Sequence, residues 1–410
     1  MTDTKENEVV VTGMGIVSCL GNELQAVENS LRSGKSGIVV DEERKALGFR
    51  SPLTGKVSFD VKQFLDRKRR KTMDEVTVQA YAAAEAALAQ AGLTSDDFSN
   101  YRSGIIIGND SCSRPNVDAA DLLRKYKETY QLGSGYIFQV MNSSITMNLS
   151  TLFKVKGANW TLAGACASGN HAVGQGYNLI RLGEQDRVIT GGAQEISWQS
   201  MASFDALGAF SANIASPEKA SRPFSADRDG LIPSGGAAVL ILERRSCAEK
   251  RGAQILAVIK SYVFSADGDH LSIPSGEGAK YCIRESILRA GLEPEQINYI
   301  NAHATSTPVG DKVEAAAILD VFGQRTPPVS STKGMTGHEC WMSGASELIY
   351  SIIMMQSGFL APNINFTGGD DVTSKLNIVT RTTPAAPRTI LSNSFGFGGT
   401  NAAIVIQKDN

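Results

Sequence analysis

The stretch that decides the fold covers residues 161–192 and reads TLAGACASGNHAVGQGYNLIRLGEQDRVITGG. Small residues lead to Cys166, a helical pattern runs to about Leu182, Gly183 ends it, and a β-branched run follows. This order places a thiol at a helix N-terminus, where free backbone N–H groups and the helix dipole favour the nucleophilic thiolate. The alternative is a small buried cysteine, the commoner state of a lone cysteine. The flanking Ala, Gly and Ser residues favour a reactive thiol because they let a substrate approach closely.

Short apolar runs alternate with helical patterns along the rest of the chain. The runs VVVTG (9–13), GIIIG (104–108), RVITGG (187–192) and AAVLILE (237–243) are typical of buried strands. We expect further strands in ILAVIKSYV, INYINAH, NIVT and AAIVIQ, and helices in DKVEAAAILDVF and SELIYSIIMMQ. The pattern predicts an α/β protein. Because no proline-rich linker separates the two sets, we expect two closely packed halves, residues 1–255 and 256–410.

Composition excludes several classes of function. With 410 residues, 42% of them hydrophobic, and a net charge of −2, the chain has no bulk field that would attract nucleic acid or an anionic membrane. Its beginning, MTDTKENEVV, is polar where a signal peptide needs an apolar run, so we expect a cytoplasmic protein without a membrane anchor. The six cysteines lack paired spacing and are expected to be free thiols. The four histidines lack ligand spacing, so no metal site is predicted.

Three further segments contain residues suited to catalysis. In NAHATSTPVGDKVEAAAILDVF an apolar strand delivers His303 to a loop rich in hydroxyls, which suits hydrogen bonding to a polar substrate. SSTKGMTGHECWMSGASELIYS places Lys333 and His338 on a glycine-containing loop ahead of the helix that contains Glu347. In LSNSFGFGGTNAAIVIQ, glycines leave the Phe397 N–H free to stabilise an oxyanion. The alternative for the two histidines is a purely structural role in packing. The alternative for the GFGG segment is a plain glycine-rich turn.

One basic run interrupts the even charge distribution, namely Arg67, Lys68, Arg69, Arg70 and Lys71, and a weaker cluster follows at Arg124, Lys125 and Lys127. Such a run is as often a solvated face as a docking surface.

Together the four segments resemble the β-ketoacyl-acyl-carrier-protein synthases. The order Cys, His, Lys, His and then GFGGTN matches, and the similarity extends from VVVTGMGIVSCLGN through ASRPFSADRDGLIPSGGAAV to SNSFGFGGTN. Within that family the sequence is most similar to the type I elongating enzymes. The resemblance implies a thiolase-like fold, a five-layer αβαβα arrangement of two related halves, and a dimer.

The resemblance also implies roles in a decarboxylative condensation. Cys166 would take the acyl group from acyl carrier protein, while the N–H groups of Cys166 and Phe397 hold the oxyanion. His303 and His338 would bind the malonyl thioester oxygen as carbon dioxide leaves, and Lys333 would fix the polar network. Further implied sets are a network of Asp311, Glu314 and Glu347, substrate contacts by Thr305, Thr307, Phe395, Phe397, Asp110, Ser111 and Cys340, and carrier-protein docking by Arg67, Lys68, Lys71, Arg124 and Lys127. No cofactor is implied, because phosphopantetheine arrives on the carrier protein.

The chain departs from the family pattern beside the acyl pocket. It reads GHECWMSG where relatives read roughly GHSLGAAG, so Glu339, Cys340, Trp341 and Met342 replace small apolar residues. GNDSCS places Asp110 and Ser111 where glycine or small apolar residues are usual, and Ala304 replaces a glycine. These changes suggest a short, unsaturated or functionalised acyl chain. The alternative function is therefore a ketosynthase of a type II polyene or polyketide pathway, paired with a chain-length-factor-like subunit.

Other protein classes fit the sequence less well. A dinucleotide oxidoreductase would need a third glycine where Ser18 stands. Non-catalytic chain-length factors lack the nucleophilic cysteine, and thiolases use a second cysteine near the C-terminus, which the terminal motif here lacks. The sequence leaves open whether Asp311, Glu314 and Glu347 hold a structural monovalent or divalent ion.

Overall fold

The computed structural model of the protein describes residues 7–409. Residues 1–6, on which the expectation about a signal peptide partly rests, lie outside the described residues. Within residues 7–409, no helix combines the length and the apolar character needed to cross a membrane. All six cysteines are free thiols, as expected.

The strands, in chain order, are β1 (Val9–Val17), β2 (Ile38–Val40), β3 (Leu53–Gly55), β4 (Ser103–Gly108), β5 (Asn159–Leu162), β6 (Arg187–Gln194), β7 (Gly236–Arg244), β8 (Ala257–Ala266), β9 (Tyr299–Asn301), β10 (Val329–Ser330), β11 (Phe359–Leu360), β12 (Thr383–Pro384), β13 (Thr389–Gly396) and β14 (Thr400–Gln407). Ten of them form one sheet in the order β10-β9-β13-β14-β8-β1-β7-β6-β4-β5.

The sheet consists of two equivalent sets of five strands. In the first set β1, β7 and β6 pair antiparallel in that order, then β6, β4 and β5 pair parallel. In the second set β8, β14 and β13 pair antiparallel, then β13, β9 and β10 pair parallel. The sets meet where Val9–Val11 pairs with Ala257–Ile259. The same strand order and directions in both sets identify the two related halves, and the chain crosses between them after Lys250. A domain boundary at residue 255 stays a prediction.

The helices are α1 (Leu24–Ser33), α2 (Glu42–Ala46), α3 (Glu75–Ala91), α4 (Ser113–Tyr126), α5 (Tyr136–Gln139), α6 (Ser144–Leu152), α7 (Ser168–Arg181), α8 (Trp198–Leu207), α9 (Arg245–Lys250), α10 (Glu277–Arg289), α11 (Pro308–Phe322), α12 (Lys333–Thr336) and α13 (Ser343–Ser357).

Three apolar clusters fix how these helices cover the strands. Helix α3 packs on the outer face of the first strand set, and α10 and α11 pack on the outer face of the second. Helices α7 and α13 share the central cluster with residues of both sets. Residues 343–355 of α13 are all buried, as expected for a helix that has protein on every side. The result is the predicted five-layer arrangement of helix, strand, helix, strand and helix.

The local expectations hold for most elements. The helix expected near Asp311 begins three residues earlier, at Pro308, where proline suits the first helical turn. The strand expected in NIVT was wrong, because only Ile378 forms a bridge there, with Val329. That short run lies beside the sheet but forms only this one bridge. Its apolar residues therefore pack against the sheet without a continuous series of strand hydrogen bonds.

The first prediction concerns the contact between β1 and α3. A Cβ atom on Gly15 would lie 1.9 Å from the carbonyl oxygen of Ala83. Gly15→Ala is expected to lower the free energy of unfolding by about 1–3 kcal/mol, because the helix must move off the strand. Urea unfolding followed by circular dichroism measures this.

The matched control is Gly176→Ala. Its added Cβ would meet Leu242 at 3.3 Å through a flexible methyl group, and alanine favours the helix there. An equal loss of stability in both variants would contradict the steric explanation.

Candidate active site

Cys166 lies in a tight turn that leads into α7. Residues Ala165–Ala167 form a single 3₁₀ turn, and α7 begins at Ser168. Ala165 has φ +46°, a left-handed conformation that is unfavourable for alanine. Its N–H donates to a carboxylate oxygen of Asp110 at 2.9 Å, and its carbonyl accepts from Ser168 Oγ at 2.7 Å. These bonds hold the strained turn, so the thiol stands at the helix N-terminus, where the sequence placed it.

His303 follows the buried strand β9 and is held through its backbone. Glu314 on α11 accepts hydrogen bonds from the N–H groups of His303 at 2.9 Å and Ala304 at 2.7 Å. Asn393 donates to the same carboxylate at 3.1 Å. Glu314 therefore fixes the loop at the end of β9 and the direction of the imidazole.

His338 lies between α12 and the 3₁₀ turn Cys340–Met342. Its backbone N–H donates to the carbonyl oxygen of Ile232 at 2.6 Å, and its ring Nδ1 lies 3.0 Å from Ser343 Oγ. The Ser343 contact orients the ring and leaves Nε2 without a hydrogen-bond partner among the described residues. The second imidazole is thus positioned by the first residue of α13.

The fold brings these three side chains into one Cys–His–His cluster, defined as Cys166, His303 and His338. One ligand atom from each lies within 4.8 Å of the other two. The two imidazole rings lie edge to face, with centroids 5.3 Å apart. The three residues expose only 8%, 8% and 2% of their surface.

A cavity of about 450 Å³ opens onto the cluster. Among the predicted substrate contacts, Thr305, Thr307, Phe395 and Phe397 line it. The two threonine hydroxyls lie 3.1 Å apart. The well-exposed Leu271 also lines the cavity, so the cavity reaches the surface.

The GFGG segment lies against the thiol. A hydrogen bond from the Phe397 backbone to Cys166 favours its thiolate. A Cβ atom on Gly396 would lie 3.1 Å from the Cys166 nitrogen, and Gly398 has φ +76°. Glycine is therefore required here for close approach and for the left-handed turn. The backbone groups of Cys166 and Phe397, predicted as oxyanion donors, both hydrogen-bond to the Cys166 sulfur.

Lys333 and Glu347 form a fully buried ion pair. Burial lowers the pKa of both His303 and His338 well below the usual value, and the charge of Lys333 adds to this effect. Both imidazoles are therefore neutral at physiological pH, and each is able to accept a proton.

The expectation of a stabilised thiolate was wrong for the free protein. Burial raises the pKa of Cys166 to about 11, and the charge of Asp110 adds to this. The charge of Lys333 and the hydrogen bond from the Phe397 N–H lower the pKa of Cys166, but they do not offset the effect of burial. The loss of hydration outweighs these stabilising contacts, so a pKa of about 11 leaves the thiol protonated at neutral pH.

Three residues expected to touch substrate do not line the cavity. Asp110, Ser111 and Cys340 are not among its lining residues, and Cys340 instead packs with Cys166 in a buried cluster. Ser111 Oγ accepts from the Trp341 indole N–H at 3.2 Å and lies 3.4 Å from a Glu195 oxygen. The polar atoms of Asp110 and Ser111 thus have protein partners, so they do not present the unpaired groups considered for the acyl tunnel.

The three carboxylates of the expected acidic network have different hydrogen-bond partners, although Glu314 lies close enough to act electrostatically on both Asp311 and Glu347. Asp311 accepts from the N–H of Phe224 at 2.8 Å and of Thr307 at 3.2 Å, and it lies 3.7 Å from Arg228. Glu347 pairs with Lys333. Asp311, Glu314 and Glu347 do not converge as a metal-ligand group within residues 7–409, where only the Cys–His–His cluster does.

The basic run is exposed. Arg67, Lys68 and Lys71 lie in the turn before α3, and Arg124 and Lys127 lie at the end of α4, all of them accessible to solvent. Arg70 instead turns inward and donates to the carbonyl oxygen of Leu65.

Several positioning contacts had no signal in the sequence. Ser343 orients His338 and Asn393 braces Glu314 from a distant strand. The bond from Ala165 to Asp110 spans 55 positions. Neither motif spacing nor residue type indicates such contacts, because they depend on how loops meet.

A thiol beside two neutral imidazoles at the base of a surface-reaching cavity defines an acyl-transferring class of enzyme. The sequence matches the family described as "Beta-ketoacyl synthase, N-terminal domain" over residues 6–248 and its C-terminal domain over residues 256–367. The 3-oxoacyl-[acyl-carrier-protein] synthase 1 of Escherichia coli K12 is 42% identical over 402 residues, covering 97% of this chain and 98% of the relative.

Solved structures agree with this match. A β-ketoacyl synthase from Burkholderia phymatum superposes with TM-score 0.93 at 32% identity, covering 98% of this chain and 100% of the other. A chain of a structure described as a type II PKS acyl-carrier protein in complex with its ketosynthase superposes with TM-score 0.89 at 27% identity, covering 98% and 99%. The chain belongs to the β-ketoacyl synthase family. The predicted thiolase-like fold, the acyltransferase class and the β-ketoacyl synthase function are confirmed.

The second prediction concerns the acidity of Cys166. Alkylation by iodoacetamide requires the thiolate, so its rate at Cys166 should rise about tenfold per pH unit from neutral pH upward. Asp110→Asn keeps an oxygen acceptor for the Ala165 N–H and removes the negative charge, so alkylation at pH 8 should become faster. Peptide mass spectrometry measures both rates. A rate independent of pH below 8 would show that the thiol is already ionised.

Proposed function

We propose that the protein joins an acyl group held on Cys166 to a malonyl unit delivered by acyl carrier protein, and so elongates fatty acyl chains. The observation that carries this proposal is the Cys–His–His cluster, in which a buried thiol lies beside two neutral imidazoles. The residue roles below are those that the resemblance implies, and the geometry of the cluster supports them.

The first step is acyl transfer to Cys166. Because the thiol is protonated, a neutral imidazole accepts its proton as the sulfur attacks the thioester carbonyl. The N–H groups of Cys166 and Phe397 stabilise the oxyanion. The carrier thiol leaves with a proton, and the acyl group remains on Cys166.

The second step uses the imidazole N–H groups as hydrogen-bond donors, so the ring that accepted the thiol proton must then present its other tautomer. A malonyl thioester in the cavity loses carbon dioxide, and His303 and His338 stabilise the negative oxygen of the enolate. The enolate carbon attacks the acyl carbonyl on Cys166 through a second oxyanion. The C–S bond to Cys166 breaks, the released thiolate takes a proton from solvent, and the 3-oxoacyl product stays on the carrier protein.

Lys333 acts on this chemistry from behind the imidazoles. Burial is the main reason that both rings are neutral, and the ammonium group of Lys333, paired with Glu347, adds to this effect and attracts the developing negative charge. Glu314 fixes the loop that contains His303. Neither Lys333 nor Glu314 needs to transfer a proton.

The phosphopantetheine arm reaches the cluster through the cavity. The paired hydroxyls of Thr305 and Thr307 and the rings of Phe395 and Phe397 provide polar and apolar contacts along its wall. The exposed Arg67, Lys68, Lys71, Arg124 and Lys127 would bind the acidic carrier protein, with an affinity that falls as salt increases. The solved complex of a similar ketosynthase with an acyl-carrier protein supports this partner. No separate cofactor is required.

We also propose a homodimer formed through β5. This strand is at the end of the sheet, and its Trp160 is 48% exposed. Helix α4, which follows the neighbouring strand β4, buries only Pro115 and presents Leu123 and Tyr126 to solvent. Antiparallel pairing of two β5 strands would cover these apolar side chains and remove the free edge. A heterodimer with a chain-length-factor-like subunit is the alternative, and the cytoplasm is the proposed compartment.

The wall beside Cys166 favours a specialised acyl chain as the second candidate function. Cys340 and Trp341 share a buried cluster with Cys166, and the Trp341 ring lies 6.3 Å from that of Phe204. Because Trp341 stands where relatives have a small residue, its ring leaves less room for a long saturated acyl chain. Short, unsaturated or functionalised chains of a polyene or polyketide pathway would fit this wall better.

The third prediction separates the two chemical steps. Cys166→Ser should abolish both acylation and condensation. His303→Ala should lower condensation on the order of 10²–10³-fold while reducing acylation much less, because the enolate loses one donor. Protein mass spectrometry after incubation with a panel of acyl carrier proteins reports the modified residue and the accepted chain.

Cys247→Ser serves as the control, since this thiol lies on α9 outside the cavity. Full condensation by either active-site variant would contradict the assigned roles. Equal turnover across a saturated series would contradict the preference for specialised chains.

The fourth prediction tests the dimer. Trp160→Glu places a charge at the β5 edge and should convert the dimer to a monomer in size-exclusion chromatography with light scattering. Leu288→Glu, at an exposed position on the outer helix α10, should leave the dimer intact. A dimer in both variants would exclude the β5 edge as the interface.

A further inference from the structure

The Cys–His–His cluster is also a set of soft metal ligands. Thiolate and neutral imidazole are the donors that zinc prefers, and a site with three protein ligands leaves a fourth position open. We propose that Zn²⁺ or a similar thiophilic divalent cation binds Cys166, His303 and His338 and thereby blocks the enzyme. Binding itself is independent of the proposed catalytic roles, whereas the block of activity rests on the proposed function.

The distances are close to those of a coordinated metal. One sulfur and two nitrogens lie within 4.8 Å of one another. Zinc–sulfur bonds of about 2.3 Å and zinc–nitrogen bonds of about 2.0 Å set the separation between tetrahedral ligands at roughly 3.5 Å. Small side-chain rotations, with atomic shifts on the order of 1 Å, therefore close the set around a cation. The adjoining cavity gives the cation access and room for a water ligand.

The imidazole nitrogens are available for such a bond. Within residues 7–409, neither His338 Nε2 nor His303 Nδ1 has a hydrogen-bond partner, although both residues are buried. A buried polar atom without a partner costs free energy, and a metal ion would satisfy it. Ser343 holds the other nitrogen of His338, as groups behind metal-bound histidines commonly do.

The surrounding charges make this binding reversible rather than structural. Lys333 lies close enough to affect all three donors and repels a cation, while its ion pair with Glu347 offsets that charge. Glu314 and Asp110 add negative charge nearby, although both already accept backbone hydrogen bonds. On binding, the Cys166 S–H bond breaks, a sulfur–zinc bond forms, and the proton leaves to solvent. We therefore expect weaker affinity than in a four-ligand structural zinc site.

Occupancy by a cation and catalysis exclude each other. The metal would use the sulfur that accepts the acyl group and nitrogens of both imidazoles, so an enzyme loaded with zinc could not be acylated. Conversely, an acyl group on Cys166 removes the thiolate ligand. Acylated protein should therefore resist zinc.

The experiment uses Cd²⁺ as a spectroscopic probe for the full-length protein. Titration should give an ultraviolet thiolate-to-metal charge-transfer absorption that saturates at one Cd²⁺ per chain and is displaced by Zn²⁺ but not by Mg²⁺, which prefers oxygen ligands. Cys166→Ala should lose this absorption. His303→Ala and His303→Gln should each weaken binding by at least tenfold, with circular dichroism confirming the fold.

Cys340→Ser and Cys247→Ser are the matched controls, since they remove the neighbouring buried thiol and a distant thiol, and both should keep the absorption. Absorption that persists in Cys166→Ala, or that disappears in Cys340→Ser, would overturn the site. Acylation of Cys166 in metal-free buffer is measured in parallel. Normal acylation without any charge-transfer band would refute the metal site alone, whereas a band without acylation would refute the proposed function alone.

Discussion

The close contact between the N-terminal ends of α7 and α13 is the constraint on which the site depends. A Cβ atom on Gly169 would lie 2.9 Å from the Trp341 carbonyl oxygen, and one on Gly344 would lie 2.5 Å from the Asn170 nitrogen. Only glycine at these positions lets the two backbones meet. Because Cys166 precedes one helix and His338 precedes the other, this contact brings the thiol and the imidazole together across the two halves.

Burial at that contact determines the electrostatics of the site. The same loss of hydration that raises the pKa of Cys166 lowers the pKa of His303 and His338. The resting site therefore holds a neutral thiol and two neutral imidazoles, with one ion pair, Lys333–Glu347, behind them. Such a site is able to accept an uncharged thioester and stabilise negative charge as it develops.

The linear sequence predicted those features that depend on local pattern. The turn at Cys166, the loops at the ends of β9 and α12, and the GFGG segment were all recognisable from spacing and residue type. The α/β alternation was equally clear, because buried strands and helices differ in apolar periodicity. The NIVT segment shows the limit, since an apolar run does not reveal whether a neighbouring strand is in place to pair with it.

The sequence by itself therefore determined the family, the two halves and the identity of the reactive groups. The tertiary structure decided the state in which those groups exist. It placed Cys166 where burial raises the pKa of its thiol, it gave the polar atoms of Asp110 and Ser111 hydrogen-bond partners in Ala165 and Trp341, and it brought together three metal-ligand side chains that lack ligand spacing in the sequence. The physical reason is that acidity, hydrogen-bond partners and donor distances depend on burial and on contacts between segments 35 to 230 residues apart, which no local pattern records.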